Sequence, residues 1–294
     1  MPERGSTVQP STVLGRQLGD ELRRFREAAG LSTAVVAEAL DCTKAKISRI
    51  ENGRVPVRLP DLMALLHTYE VTDDKARERL GKLARSANRR RKEGWWNQYG
   101  PVLADTYRDY IALEAVSDSI RTFQCQLVPG LLQTPAYVRA VTVASKAWQT
   151  PDEIEQFVEV RVARQERLTA AEPLKVWAVM TEGVLHQQVG GPEAMRAQLH
   201  HLVAMSELPN VTVQILPFSR GAHAGMFGSY LLLSFPQVSA IDVALTENPT
   251  SHIWMEREPE VKRYRELFDD ARTSALSPAE SVARIKRIAK EHRA

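Results

Sequence analysis

Residues 31–53, LSTAVVAEALDCTKAKISRIENG, hold two short apolar repeats separated by a two-residue break, and no other stretch constrains the fold as tightly. From Ser32 the apolar positions Val35, Val36, Ala39 and Leu40 recur at helical spacing; the pattern breaks at Asp41-Cys42 and restarts at Thr43 with Ile47 and Ile50. Two periodic runs with so short a break predict a helix-turn-helix. Thr43 suits an N-cap, whose hydroxyl accepts backbone N–H groups of the first turn, and Gly53 stands where a left-handed C-terminal residue is needed. Ala37 is small where the two helices would cross. Asp41 takes a turn position that needs positive φ, a geometry aspartate tolerates better than most residues.

If Ile47 and Ile50 face inward, the helical period turns Lys44, Ala45, Ser48, Arg49 and Asn52 outward as a polar, basic stripe. Arginine donates two hydrogen bonds to guanine O6 and N7, lysine does so less rigidly, serine pairs either way, and Thr43 and Ala45 suit a thymine methyl. Lys44, Ala45, Ser48 and Arg49 are therefore the expected base readers, with Thr43, Lys46 and Asn52 completing the DNA-facing set. Thr33, before them, and Arg54 with Arg58, after them, are placed to hold phosphates. Two basic residues alone would suit a solvated helix face equally well. The agreement of turn, cap, spacing and flanks favours double-stranded DNA.

Charge supports that partner once it is divided by segment. Residues 1–92 carry 19 Lys and Arg against 12 Asp and Glu, leaving +7, whereas the remainder carries 20 against 24, leaving −4. A basic segment gains affinity for DNA by releasing condensed counterions, which the whole-chain value of +3 would not suggest. Part of the excess is the run Arg89-Arg90-Arg91-Lys92, which a linker or solvated helix end explains as well as a phosphate contact.

Length sets an expectation of about two domains at roughly 150 residues each. Residues 1–12, polar with Pro and Ser, read as a flexible arm; 13–88 as the helix-turn-helix domain, mainly α with five helices; 89–101 as a basic, aromatic linker; and 102–294 as a mixed α/β regulatory or partner-binding domain. Trp95, Trp96 and Tyr99 in the linker are better suited to packing it onto a domain than to stacking on a ligand. In the second domain, 107–119, 153–168, 192–208 and 261–271 read as helices. A last helix begins at Ser277, and Thr150 with Glu153 and Ser277 with Glu280 form capping boxes. Strands are expected at 174–180, 211–216, 229–235 and 240–245. No run approaches the ~20 apolar residues of a membrane span, and the start lacks the apolar core of a secretion signal. With Cys42 and Cys125 in separate domains, the expectation is reduced thiols and a cytoplasmic protein.

On LRRFREAAGLS (22–32), ISRIENG (47–53) and RLPDLMALLHTYEV (58–71), residues 14–71 resemble the phage-repressor-like helix-turn-helix family of xenobiotic-response-element regulators, across all five of its helices. That family commonly pairs an arginine of its first helix with the glutamate after the recognition helix. The resemblance therefore implies that Arg26 and Glu51 form a structural ion pair. Asp41 departs from the family's usual glycine. Residues of about 95–290 resemble a domain of unknown function that follows the same motif in many actinobacterial regulators, on VPGLLQTPAYVRAV (128–141), RVARQERL (161–168), MTEGVLHQQVGG (180–191), LPNVTVQILPF (208–218), GAHAGMFGSYLLLSFP (221–236) and ALSPAES (275–281). This implies a transcriptional regulator; some members are antitoxin-like and encoded beside a small partner protein. It brings no catalytic residue with it.

The remaining candidates rest on their own chemistry. His186, His200, His201, His223 and His252 lack HExxH or CxxC spacing, the glycines of 221–228 lack phosphate-loop spacing, and no serine has the GxSxG context. No cofactor, no metal and no catalytic activity are expected. Arg161, Arg164 and Arg167 recur every third residue near one helix face and could grip an anion or an acidic partner, with Tyr137 on a pocket rim. Neutralisation by Glu159, Glu166 or Glu172 is the preferred alternative. Since one recognition helix reads only a few base pairs, a homodimer on paired half-sites is expected.

Overall fold

The computed structural model describes residues 13–89, 94–100, 102–235, 242–248 and 251–292, which fall into two compact units meeting in sequence at Asn97 and Gln98. The expected arm at 1–12, the basic run 90–92 and Pro101 lie outside the described residues.

The first unit holds α1 (Val13–Ala28), α2 (Thr33–Ala39), α3 (Lys44–Glu51), α4 (Leu59–Thr68) and α5 (Asp74–Arg89). Leu14, Leu18 and Leu22 of α1, one helical turn apart, are buried with Leu62, Leu65 and Leu66 of α4 and Leu80 and Leu83 of α5. Two expectations are corrected here. The first helix begins at Val13 and the fifth at Asp74, so residues 14–71 hold four helices rather than five. In α2, burial falls on Val36 and Ala37, whereas Val35 is 49% exposed and Ala39 also faces solvent. This helix has only seven residues and packs on α3 and α4 from one side. Gly19 is required by the crossing of α1 on α3, because a Cβ there would lie 2.3 Å from the Glu51 carbonyl oxygen.

The second unit is a six-stranded mixed sheet in the order β3-β2-β1-β4-β5-β6, comprising β1 (Ser119–Gln124), β2 (Lys175–Thr181), β3 (Val211–Leu216), β4 (Tyr230–Ser234), β5 (Val243–Asn248) and β6 (Ser251–Met255). Strands β1, β2 and β3 are parallel neighbours, joined by α7 (Pro135–Ser145) with α8 (Pro151–Arg164), and then by α9 (Gly183–His186) with α10 (Pro192–Met205); β4, β5 and β6 run antiparallel. One face carries Phe123, Val179, Leu232 and Ala244 and is covered by Val261, Phe268 and Ala271 of α11 (Glu258–Ser274). Along the outer edge of β3, the Ile215 carbonyl accepts from Leu276 N–H. The Ile215 N–H donates to the Ser281 hydroxyl of α12 (Pro278–Ala289), which closes part of an edge that would otherwise offer unpaired groups.

Both expected capping boxes are present, at Thr150 and Ser277. The expected helix at 107–119 is instead α6 (Asp105–Glu114), and Ser119 opens the central strand β1. Its polar residues are satisfied by distant partners: Arg121 pairs with Asp242 at 3.0 Å and Thr122 donates to the Tyr230 carbonyl at 3.0 Å. Helix α7 and strand β6 are further elements beyond the sequence reading, and β5 lies three residues later than expected.

The first four helices share one ending. In each, a left-handed residue follows the C-cap: Gly30 (φ 69°), Asp41 (φ 47°), Gly53 (φ 64°) and Glu70 (φ 56°). The 6→1 and 5→2 hydrogen bonds of a Schellman motif surround it, as in Cys42 N–H to the Ala37 carbonyl at 2.8 Å and Asp41 N–H to that of Glu38 at 3.1 Å. A Cβ costs energy at such a position, less for aspartate than for glutamate. Asp41→Gly and Glu70→Gly are therefore expected to raise the unfolding free energy by about 0.5–1 kcal/mol each, Glu70→Gly by the larger amount. Urea denaturation measures both; a loss of stability in Glu70→Gly would overturn the assignment of strain to that residue.

Candidate nucleic-acid interface

Helix α3 is held from both ends and from beneath. Its N-cap is Thr43, whose hydroxyl accepts from Lys46 N–H at 3.2 Å, and its C-terminal turn closes on Gly53. Ile47 and Ile50 point into the core, and Glu51 is buried beside them. The Arg26 guanidinium of α1 grips Glu51 with two bonds, Nε to Oε1 at 2.6 Å and Nη2 to Oε2 at 2.9 Å, while Nη1 donates to the Leu31 carbonyl at 2.9 Å. This fork ties α1 to the end of α3 and to the start of the motif. The implied Arg26–Glu51 pair is thus present in the geometry, and a neighbour joins it: Arg23 lies 3.5 Å from Glu51 Oε2 and donates to Asn52 Oδ1 at 3.0 Å. Arg23 stands one turn before Arg26, and that spacing was the only sign of it in the sequence.

These contacts sort the candidate DNA-facing residues. Lys44, Ala45, Ser48 and Arg49 are exposed together on α3, with Thr43 at its start. Asn52 is committed, accepting from Arg23 and donating to the Ser48 carbonyl at 2.7 Å. Lys46 is turned aside, its Nζ 3.4 Å from Asp61 Oδ1 of α4. Thr33 is half-buried at the first position of α2. Arg54 and Arg58 are exposed just after α3, and among the described residues Lys44, Arg49, Arg54 and Arg58 form no ion pair. Four cations with no protein carboxylate to satisfy them thus surround one short helix, which is the arrangement that phosphates and guanine edges can satisfy.

The second unit's candidates separate. Tyr137 is fully buried rather than at a pocket rim; its hydroxyl accepts from Val128 N–H at 3.2 Å, and burial raises its pKa. Arg164 is buried in a fork on Glu114 of α6, Nε to Oε1 at 2.7 Å and Nη2 to Oε2 at 2.5 Å, and also donates to the hydroxyls of Tyr107 and Tyr110. Its partner is therefore Glu114, not Glu159, Glu166 or Glu172. Arg167 donates to the carbonyls of Glu172 and Ser117. Arg161 makes no hydrogen bond or ion pair among the described residues. Of the two arginine candidates, only Arg161 retains donors for another molecule. No group of three or more His, Cys, Asp or Glu able to hold a metal occurs among the described residues, and none of their helices is long and apolar enough to cross a membrane.

Glu51→Ala is expected to destabilise the first unit by about 3–5 kcal/mol, because it removes the fork from a buried guanidinium and leaves it the Leu31 carbonyl and the exposed Glu27 at 3.5 Å. Arg26→Ala costs less, since Arg23 remains beside Glu51. Thermal unfolding of the two variants checks the order; equal losses would remove Arg23 from the network.

Comparison with known proteins follows the same division. A helix-turn-helix domain model matches residues 17–80, and the model of a domain of unknown function, DUF5753, matches residues 107–287. No curated protein and no solved structure matches the chain. With more than half of its length inside the second model, the chain belongs to the DUF5753 family, its domain preceded by a helix-turn-helix domain.

Proposed function

We propose that this protein is a sequence-specific transcriptional regulator that binds a double-stranded DNA operator as a homodimer in the cytoplasm and acts by binding rather than catalysis. The observation that carries this reading is the exposed face of Lys44, Ala45, Ser48 and Arg49, whose two cations form no ion pair among the described residues, on a helix held at both ends. One such helix spans too few base pairs to select a genomic site, so a second copy on a symmetric half-site supplies the missing discrimination. The second unit then serves oligomerisation, sensing or partner binding.

A second reading, that the protein is antitoxin-like and its DNA binding autoregulatory, is favoured by one feature of the second unit. Phe218, Met226 and Phe227 are 66%, 67% and 100% exposed in the loops between β3 and β4. Exposed apolar groups clustered in sequence suit a protein partner. Stoichiometric co-purification with a small protein encoded next to the gene supports this reading; its absence on co-expression overturns it.

With the operator identified by mapping bound DNA in cells, Arg49→Ala is expected to weaken operator binding by about 1–3 kcal/mol and leave random-sequence binding nearly unchanged. Equal losses on both would overturn base reading by Arg49. Arg54→Ala and Arg58→Ala are expected to weaken binding to every sequence and to flatten the slope of log K against log salt by about 1 each.

A further inference from the structure

Arg161 has walls around it and, among the described residues, no acceptor. Its guanidinium carbon lies 5.5 Å from the Tyr107 ring centroid and 5.1 Å from that of Phe157, so two aromatic faces hold it in place. Its Nε is buried without a hydrogen-bond partner. A buried guanidinium N–H with no acceptor is disfavoured, and native structures seldom keep one without a reason. Gly130 lets the guanidinium lie directly against the backbone, for a Cβ there would lie 2.1 Å from Nη1.

The space in front of these groups is a cavity of about 50 Å³ against the sheet face that carries Thr122 and Gln124. At about 10–15 Å³ per water-sized position, it takes about three to five such positions, enough for the three heavy atoms of a carboxylate and far too small for a nucleotide. Its charges decide the sign of the occupant. Arg164 also lines the cavity but is neutralised by Glu114. Glu247 lines it too, but its side chain is 51% exposed at the solvent side, with His252 Nε2 at 3.4 Å, so water screens its carboxylate more than it does the half-buried guanidinium. Among the described residues, the lining guanidinium that pairs with no carboxylate is that of Arg161. Thr122 spends its proton on the Tyr230 carbonyl and accepts from Gln124 Nε2, so the hydroxyl brings no further donor.

We propose that Arg161 and its cavity bind a carboxylate group of a small molecule, with the guanidinium donating through its two terminal nitrogens in the two-bond geometry that suits a planar anion. The proposal gives the sensing role suggested above a chemical class of ligand. Its test uses no DNA, so its failure would leave the operator reading standing.

The probe is sodium acetate, titrated into the full chain at constant ionic strength with sodium chloride as the balancing salt. The ceiling on binding per heavy atom puts acetate no tighter than about 40 µM, so the titration runs into the millimolar range. The readout is the Nε–H NMR signal of Arg161, identified as the arginine signal that Arg161→Gln removes. The expected result is a saturable shift of that signal with acetate and none with chloride. Gly130→Ala, which keeps the charge but displaces the guanidinium from its seat, is expected to weaken the response at least tenfold, whereas Arg139→Gln, at an exposed arginine paired with Glu155, leaves it intact. No saturable shift, an equal shift with chloride, or undiminished acetate binding in a folded Gly130→Ala variant would overturn the proposal.

Discussion

The helix-turn-helix depends on a carboxylate that has no access to water. Glu51 is buried at the end of α3, and the Arg26 fork, with Arg23 beside it, makes that burial tolerable. Such a pair adds little net stability, because the cost of desolvating both charges offsets most of their attraction. What it adds is direction. Two parallel hydrogen bonds can be made in one relative orientation of α1 and α3, and the third, to the Leu31 carbonyl, brings the start of α2 into the same arrangement. The exposed residues of α3 inherit their orientation from this buried point.

The second unit repeats the device with different neighbours. Arg164 and Glu114 join α8 to α6 through the same two-bond geometry, and the hydroxyls of Tyr107 and Tyr110 take up two more of its five donors. Satisfying Arg164 internally leaves Arg161, one turn earlier on α8, as the arginine whose donors are unspent. Two guanidinium groups on one helix thus acquire opposite roles from the presence or absence of a carboxylate contributed from elsewhere in the chain.

That difference also marks what the sequence could convey. Thr43, Gly53, Asp41 and both capping boxes were legible because each is completed within a few residues, and the outward set on α3 followed from helical period alone. Arg164 and Glu114 lie 50 residues apart, while Glu159, Glu166 and Glu172 are nearer in sequence but outside its hydrogen-bonding fork. Strand β1 was hidden for the same reason. Its arginine and threonine read as surface residues, yet Arg121 finds Asp242 at a separation of 121 residues, so a polar hexamer can occupy the middle of a sheet. The stripe on α2 misled differently: with only seven residues, a helix offers too little surface for periodicity to identify the buried side.

The crossing at Gly19 gives the first unit a particular genetic behaviour. A single methyl group there would collide with the backbone at the end of α3, and the same holds at Gly53 against the backbone of Gly15 and Arg16. Neither glycine has a side chain to offer any ligand, yet each sets how far the recognition face stands from the body of the unit. Under the proposed function, a screen for lost DNA binding would cluster alleles at these two positions with those at Lys44 and Arg49. Only the folded protein could tell which alleles had lost a contact and which had moved the helix that makes it.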